Sequence, residues 1–160
     1  MTLGKKLTLR LRVTNTGAVP FEFEEALHSY FSVSDVRRVA VTGLAGEPYL
    51  DQLSGRSEVE GAQSIRVQSE VDRVYRSSSE CRIDDPGLAR TIVVGKVGSL
   101  STVLWNPWVD KTQRLADFGD EEYLQMLCIE SANVRPQKVE LAASETHELE
   151  VSLESVRLDG

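Results

Sequence analysis

The sequence predicts an all-β fold, and three features of its patterning indicate it. Short apolar segments with period-two alternation recur along the chain, most clearly where Leu7, Leu9 and Leu11 alternate with Thr8 and Arg10. Clusters of Gly, Pro, Asp and Ser separate about ten such segments. Sustained helical periodicity is lacking. These features are typical of a β-sandwich or barrel.

The predicted strands follow one another without a linker, an internal repeat or a low-complexity tract. In chain order they lie in LTLRLRV, FEFE, RRVAV, SIRVQ, CRI, RTIVV, TVLWN, MLCIE and THELEVSL. The segment DKTQRLADFGDEEYLQ is predicted to be a long loop with at most one helical turn. A chain of 160 residues suits one domain, so we expect residues 1–160 to form a single β-sandwich domain.

Composition and charge exclude several classes of function. The net charge is −7 and no Lys/Arg block stands out, which argues against a nucleic-acid partner. No apolar run approaches the roughly 20 residues that span a bilayer, and the N-terminus lacks a secretory signal. We therefore expect a cytoplasmic protein without a membrane or nucleic-acid partner.

The two cysteines do not predict a disulfide framework. Cys81, Cys128 and the intervening Trp105 suggest an immunoglobulin-type pattern. That pattern requires a tyrosine two residues before the second cysteine, where this chain has Met126, so it fails. Cys128 lies in an apolar strand-like run and is predicted to be a core thiol.

Three side chains are candidates for chemistry, and each has a structural alternative. His28, in ALHSYF, could equally be a partly buried histidine among aromatic residues. Asp72, in SEVDRVY, could form a salt bridge with Arg73 or cap a turn. Glu130 directly continues an apolar strand, where a carboxylate is costly to bury unless it is paired or functional. The alternative is a strand end that opens into a solvated loop.

The segment LWNPW also has two interpretations. Trp105 and Trp108 flank Asn106-Pro107, and aromatic faces beside an amide suit a sugar ring. A packed corner of the core is the alternative.

Taken together, these segments resemble a known family. FEEALHSYFSVSDV, VTGLAGEPYLDQL, SEVDRVY, TVLWNPWVDKTQRLADFGDEEYLQMLCIES and a closing apolar strand occur in this order. The succession, from about Thr8 to Leu153, resembles the glucose-6-phosphate 1-epimerase (hexose-6-phosphate mutarotase) family of the aldose 1-epimerase superfamily. The resemblance implies a galactose-mutarotase-like β-supersandwich, a sugar bound in an open cleft on one sheet, and no metal or organic cofactor.

The resemblance also implies an activity and three site residues. The activity is interconversion of the α and β anomers of a hexose 6-phosphate through ring opening and reclosure. His28 corresponds to the family's general acid, Glu130 to its general base, and Asp72 to a sugar-binding aspartate. The alternatives are a non-catalytic carbohydrate-binding module or inactive fragment, and a generic β-sandwich interaction domain.

The chain departs from the family pattern in two places. Family members are longer, so the resemblance implies an N-terminally truncated sandwich whose open strand edges could drive self-association. The family's phosphate-binding arginines lie in the unmatched part. Four arginines of this chain are predicted to be solvated surface charges instead: Arg37, Arg38, Arg56 and Arg66. The last hairpin is also in doubt, because residues 141–145 lack the family's Pro-Gly turn. His147, on the final strand, is predicted to be structural.

Overall fold

The chain forms short strands throughout. The computed structural model describes residues 1–116 and 118–158, and within these residues it contains fifteen strands, one short α-helix and three 3₁₀ turns. The strands are β1 (Thr2–Leu3), β2 (Leu7–Thr14), β3 (Phe21–Phe23), β4 (Glu25–Leu27), β5 (Tyr30–Ser32), β6 (Ala40–Thr42), β7 (Pro48–Asp51), β8 (Ser57–Val59), β9 (Val71–Tyr75), β10 (Cys81–Asp85), β11 (Arg90–Val97), β12 (Ser101–Asn106), β13 (Met126–Asn133), β14 (Val139–Leu141) and β15 (Thr146–Arg157). The helix α1 is Trp108–Thr112, and the 3₁₀ turns are Pro86–Leu88, Glu122–Gln125 and Arg135–Gln137.

Two antiparallel sheets make up the architecture. The first has the strand order β1-β2-β15-β11-β10-β6. The second has the order β4-β13-β12-β9-β7-β8, and β5 pairs with β13 beside β4. Strands β3 and β14 form a separate two-stranded ribbon. The all-β prediction is confirmed, and the strands outnumber the ten predicted because several have only two or three residues.

One buried cluster joins the two sheets. Ile83 and Val151 of the first sheet and Leu104 and Ile129 of the second are each at most 1% exposed. Because side chains alternate along a strand, the neighbours of Leu104 on β12 point away from this core. The second sheet therefore carries a separate outer face.

His147 is structural, as predicted. Its Nε2 lies 2.7 Å from Oε1 of Glu25, which is buried, and 3.3 Å from Nδ2 of Asn133. The Phe23 ring meets the imidazole edge-on, with the ring centroids 6.3 Å apart. The cluster connects β15 of the first sheet to β4 and β13 of the second.

Two predicted elements differ from those observed. SIRVQ was predicted as a strand, but Ile65 forms only an isolated bridge with Val41 and is followed by unpaired chain. Residues 110–125 were predicted to be mainly loop, whereas α1 begins earlier, at Trp108, and a 3₁₀ turn covers Glu122–Gln125. Asp117, in that segment, lies outside the described residues.

The last predicted hairpin does not form, because β14 pairs with β3 whereas β15 pairs with β2 and β11. β14 and β15 are separated by four residues, among which Ser144 takes a positive φ of 66°. The Ser144 amide donates to the carbonyl of Asn15 at 3.0 Å, so the residue that directly follows β2 holds this turn in place.

Both cysteines are free and buried, which confirms Cys128 as a core thiol. None of the helices in the described ranges has the length and apolarity needed to cross a membrane.

We expect Gly98, in the turn that links β11 of the first sheet to β12 of the second, to be intolerant of a side chain. Its φ is +74°, and an added Cβ would overlap the carbonyl oxygen of Glu148. Gly98→Ala should lower the free energy of unfolding by about 2–5 kcal/mol, combining backbone strain with overpacking. Equilibrium urea unfolding measures this value.

Gly46→Ala is the matched control, because Gly46 has a φ of +80° but an added Cβ would meet no described atom within 4 Å. It should cost only about 1–2 kcal/mol. Equal losses in the two variants would contradict the steric argument.

Candidate functional site

A cavity of about 510 Å³ opens on the outer face of the second sheet. Its lining comes from β4, β5, β9, β12 and β13 and from four short segments between strands. The lining residues are Glu24, Ala26, His28, Tyr30, Gln52, Asp72, Val74, Val103, Trp105, Glu130, Val134 and Arg135. All three predicted site residues are therefore on the wall of one cavity.

The pairing of β4 and β5 with β13 keeps one continuous register. β4 ends at Leu27, which pairs with Ser131, and β5 begins at Tyr30, which pairs with Cys128. Two residues separate the strands on one side, and two residues separate their partners on β13. The residue after Leu27 therefore lies opposite the residue before Ser131.

These two residues are His28 and Glu130. Cross-strand neighbours project from the same face of a sheet, so the imidazole and the carboxylate meet on the cavity side. Nδ1 of His28 lies 2.9 Å from Oε1 of Glu130. The His28 side chain is 60% exposed, whereas that of Glu130 is only 8% exposed.

Glu130 lies within β13 rather than at its end, because the strand continues in paired form to Asn133. The alternative of a solvated strand end is therefore wrong. Burial raises the pKa of the Glu130 carboxyl above its ordinary range, the contact with His28 opposes this rise, and the charge of Asp72 adds to it. The surroundings of Glu130 therefore make its carboxylate costly to ionise, and the contact with His28 offsets part of that cost.

Asp72 is held from both sides by polar side chains. Gln52 donates from Nε2 to Oδ1 at 2.7 Å, and Nζ of Lys111 lies 3.6 Å from Oδ2. The alternative of a salt bridge between Asp72 and Arg73 is wrong, since Arg73 donates instead to buried Glu60 at 3.0 Å. Adjacent residues on β9 point to opposite faces of the sheet, which explains the separation.

Only one of the two tryptophans lines the cavity. Trp105 meets the Tyr30 ring edge-on, with centroids 6.1 Å apart, and Nζ of Lys111 lies 5.5 Å from its centroid. Trp108 packs instead against Tyr123, with centroids 5.3 Å apart. Trp105 can therefore offer an aromatic face to a ligand, while Trp108 belongs to the packed corner.

The amide of Asn106 is also structural. Nδ2 donates to the carbonyls of Tyr123 and Met126, both at 2.8 Å, and Oδ1 accepts from the Trp108 amide at 2.9 Å. Asn106 is fully buried and stabilises the entry into α1. The interpretation of Asn106 as a sugar contact is wrong.

Arg135 was not predicted from the sequence, although it lines the cavity. It takes a φ of +57°, and its amide donates to Oε1 of Glu24 at 2.6 Å. Its guanidinium donates to Oε1 of Gln52, which in turn holds Asp72. The only sequence signal was an arginine before a proline, which predicts a turn but no site.

The arrangement can transfer protons to and from a polar ligand. It offers an imidazole in contact with a buried carboxylate, a second carboxylate held in place and an aromatic face within one open cavity. None of the described residues forms a group of three or more His, Cys, Asp or Glu side chains that could hold a metal ion.

Comparisons with known proteins give one consistent family. Residues 1–154 match the sequence profile described as "Aldose 1-epimerase". A protein of Cenchrus ciliaris, named "Putative glucose-6-phosphate 1-epimerase", is 45% identical over 130 residues. That match covers 80% of this chain but only 40% of the relative.

Solved structures agree with the sequence matches. A crystal structure of a "putative mutarotase" from Salmonella typhimurium has a TM-score of 0.87 and 25% identity, over 97% of this chain and 51% of that one. A galactose mutarotase-like protein from Clostridium acetobutylicum, at a TM-score of 0.70 and 16% identity, shares the fold over 96% of this chain and 53% of its own. The chain thus has the galactose-mutarotase-like fold and spans about half the length of these proteins.

The raised pKa of Glu130 predicts a pH-dependent effect on stability. A raised folded-state pKa favours folding at low pH, and this contribution is lost as the pH rises from about 4.3 through the folded value. Glu130→Gln removes the titration, so the variant should become more stable than the wild type as the pH rises above that range. Urea unfolding from pH 4 to pH 8 measures the difference.

Glu140→Gln, at an exposed position on β14, is the control and should leave the difference flat. A Glu130→Gln variant that is less stable than the wild type at neutral pH would contradict the assignment of a desolvated carboxylate.

Proposed function

Because the chain belongs to the aldose 1-epimerase family, we propose that it interconverts the α and β anomers of a hexose, with His28 and Glu130 as its acid–base pair. The observation that carries the proposal is the 2.9 Å contact between Nδ1 of His28 and Oε1 of Glu130 on the wall of an open cavity. At this distance an imidazole can donate to a carboxylate, so the two groups are placed to act as an acid and a base.

Ring opening uses each group once. Glu130 takes the proton from the anomeric hydroxyl, the bond between C1 and the ring oxygen breaks, and His28 gives its proton to that oxygen. C1 becomes a carbonyl carbon and rotates about the C1–C2 bond. In reclosure His28 takes back the proton as the hydroxyl attacks C1, and Glu130 returns its proton to the carbonyl oxygen. The cycle consumes no co-reactant.

The environment of Glu130 matches this role. A buried carboxylate with a raised pKa is a stronger base than an exposed one, and the contact with His28 offsets part of the cost of ionising it. The 60% exposure of the His28 side chain leaves the imidazole accessible from the cavity.

Asp72 is proposed to hold sugar hydroxyls against this pair. Its two oxygens are fixed by Gln52 and Lys111, so a hydroxyl that donates to it is positioned without further ordering. Trp105, in the same cross-strand row as Asp72, would face the ring.

The substrate proposed is a hexose 6-phosphate. This choice is supported by the name of the Cenchrus ciliaris relative, which specifies glucose 6-phosphate. We propose this activity for the 160-residue chain by itself, so the experiments below use that chain.

Glu130→Gln and His28→Asn should each slow anomer exchange of glucose 6-phosphate by about 10²–10⁴-fold, because each removes one proton-transfer partner. Exchange is measured by NMR magnetisation transfer between the α and β signals. For the wild type, the acid limb of kcat/KM should lie at higher pH than an unperturbed glutamate would give, since burial raises the pKa of Glu130.

The control is His147→Asn, which changes the other of the two histidines and should retain the exchange rate of the wild type. Wild-type exchange in both site variants would overturn the assignment. Sugar-induced shift changes without faster exchange would instead favour a carbohydrate-binding module.

Asp72→Asn should raise KM for glucose 6-phosphate by roughly tenfold and lower kcat by less, since the carboxylate holds hydroxyls and transfers no proton. Steady-state kinetics separate the two parameters. A loss confined to kcat would place Asp72 among the proton-transfer groups instead.

A further inference from the structure

Two cavities lie side by side on the second sheet. The cavity described above, here called the main cavity, contains the acid–base pair, and a second cavity of about 290 Å³, here called the side cavity, adjoins it. Val74 and Arg135 are the residues that line both. Val74 lies within β9, whereas Arg135 lies in the turn that follows β13. The boundary between the cavities therefore has Val74 as its floor and Arg135 as its wall.

Arg135 is held at this boundary by two contacts. Its amide donates to Oε1 of Glu24 at 2.6 Å, and its guanidinium donates to Oε1 of Gln52. Glu24 directly precedes β4, and Gln52 directly follows β7. β4 and β7 are four strand spacings apart in the second sheet, or about 19 Å. The residue thus links two sides of the main cavity that are distant in the sheet.

The contact with Gln52 connects Arg135 to the proposed sugar-binding carboxylate. Gln52 donates from Nε2 to Oδ1 of Asp72 at 2.7 Å, and its amide donates to the Asp72 carbonyl at 2.8 Å. A glutamine side chain has one accepting end and one donating end. Because the guanidinium occupies the accepting end, the donating end is directed to Asp72. Arg135 is therefore fixed relative to the site, unlike a freely moving surface arginine.

The backbone of Arg135 has a conformation that favours glycine. Its φ is +57°, in the left-handed region that residues with a side chain rarely adopt. A glycine would take this conformation without strain, but it would leave no side chain between the two cavities. Strained residues of this kind cluster at functional sites, so the strain points to a role for this side chain.

The boundary lies at the end of the proposed sugar ring that is away from C1. C1 must lie against His28 and Glu130, whereas Asp72, which is proposed to hold hydroxyls, lies two strands away on β9. In a pyranose ring, the hydroxyl at C4 is across the ring from C1. This hydroxyl is thus directed toward β9, where Val74 and Arg135 form the boundary. A second sugar unit attached at C4 would have to pass Arg135 to reach the side cavity.

We propose that Arg135, held by Gln52, limits the substrate to a single sugar unit by blocking the end of the main cavity that lies away from C1. The proposal rests on the function proposed above and names a residue that sets the size of its substrate. The side cavity beyond the block is lined by Leu50 and by the neutral polar side chains of Ser57 and Gln137, a mixture that suits a sugar. Removal of the Arg135 side chain would join the two cavities into one longer groove.

The test uses Arg135→Gly and compares anomer exchange of maltose with that of glucose. Maltose has a free C1 and carries its second sugar unit at C4. The wild type should exchange maltose with a kcat/KM at least roughly tenfold below that for glucose, and the variant should raise the maltose-to-glucose ratio by roughly tenfold. The glycine fits the positive φ and keeps the amide that donates to Glu24, so the urea midpoint should stay close to that of the wild type.

Arg76→Ala is the matched control, because it removes an arginine that lines only the side cavity. It should keep the wild-type ratio. An equal rise in this variant would attribute the effect to lost positive charge and would overturn the proposal. An unchanged ratio in Arg135→Gly, or a wild type that exchanges maltose as fast as glucose, would also overturn it.

Binding separates this proposal from the proposed function. If the wild type accelerates exchange of neither glucose nor glucose 6-phosphate, the mutarotase function fails. The size limit still stands if glucose shifts the His28 ring signals of the wild type while maltose does not, and if both sugars shift them in Arg135→Gly. Maltose that shifts these signals in the wild type as strongly as glucose would overturn the size limit. A wild type that neither exchanges nor binds either sugar would overturn both proposals.

Discussion

The site depends on the register of β13, which pairs with two separate short strands along the same edge. β4 and β5 are each three residues long, and the residues between them would be free to leave the sheet if each strand set its own alignment. A shared register instead places His28 opposite Glu130, and a slip of one residue would move either side chain to the core face. Pairing of β13 with β12, and of β12 with β9, extends the same row to Val103 and Val74.

This geometry explains how a carboxylate can be kept in a strand whose eight residues are all buried. Ionised Glu130 loses solvation, and the imidazole of His28 offsets part of that loss, which leaves the pKa of the carboxyl raised. A protein selected for stability alone would have an apolar side chain there. An unfavourable, desolvated environment of this kind is typical of residues that move protons. A second carboxylate, that of Asp72, is held on the same face by Gln52 and Lys111.

Much of the fold could be predicted from the sequence because long strands show clear alternation, as in β2 and β15. The shortest strands could not, since three residues carry too little periodicity, and SIRVQ has strand-like alternation yet forms only one bridge. His28, Asp72 and Glu130 could be proposed because each lies in a local motif. Arg135 could not, because it reaches the cavity from a turn in which its φ is positive, and no local pattern records that placement.

The central claim is that His28 and Glu130 contact each other as an acid–base pair on the wall of a sugar-binding cavity. ¹⁵N NMR of the imidazole nitrogens tests it most directly, and the presence of only two histidines makes the assignment simple. The account predicts a protonated Nδ1 on His28 whose shift changes both with Glu130→Gln and with added glucose 6-phosphate, while the His147 ring signals do not respond to the sugar. Ring shifts of His28 that are insensitive to both the substitution and the sugar would contradict it.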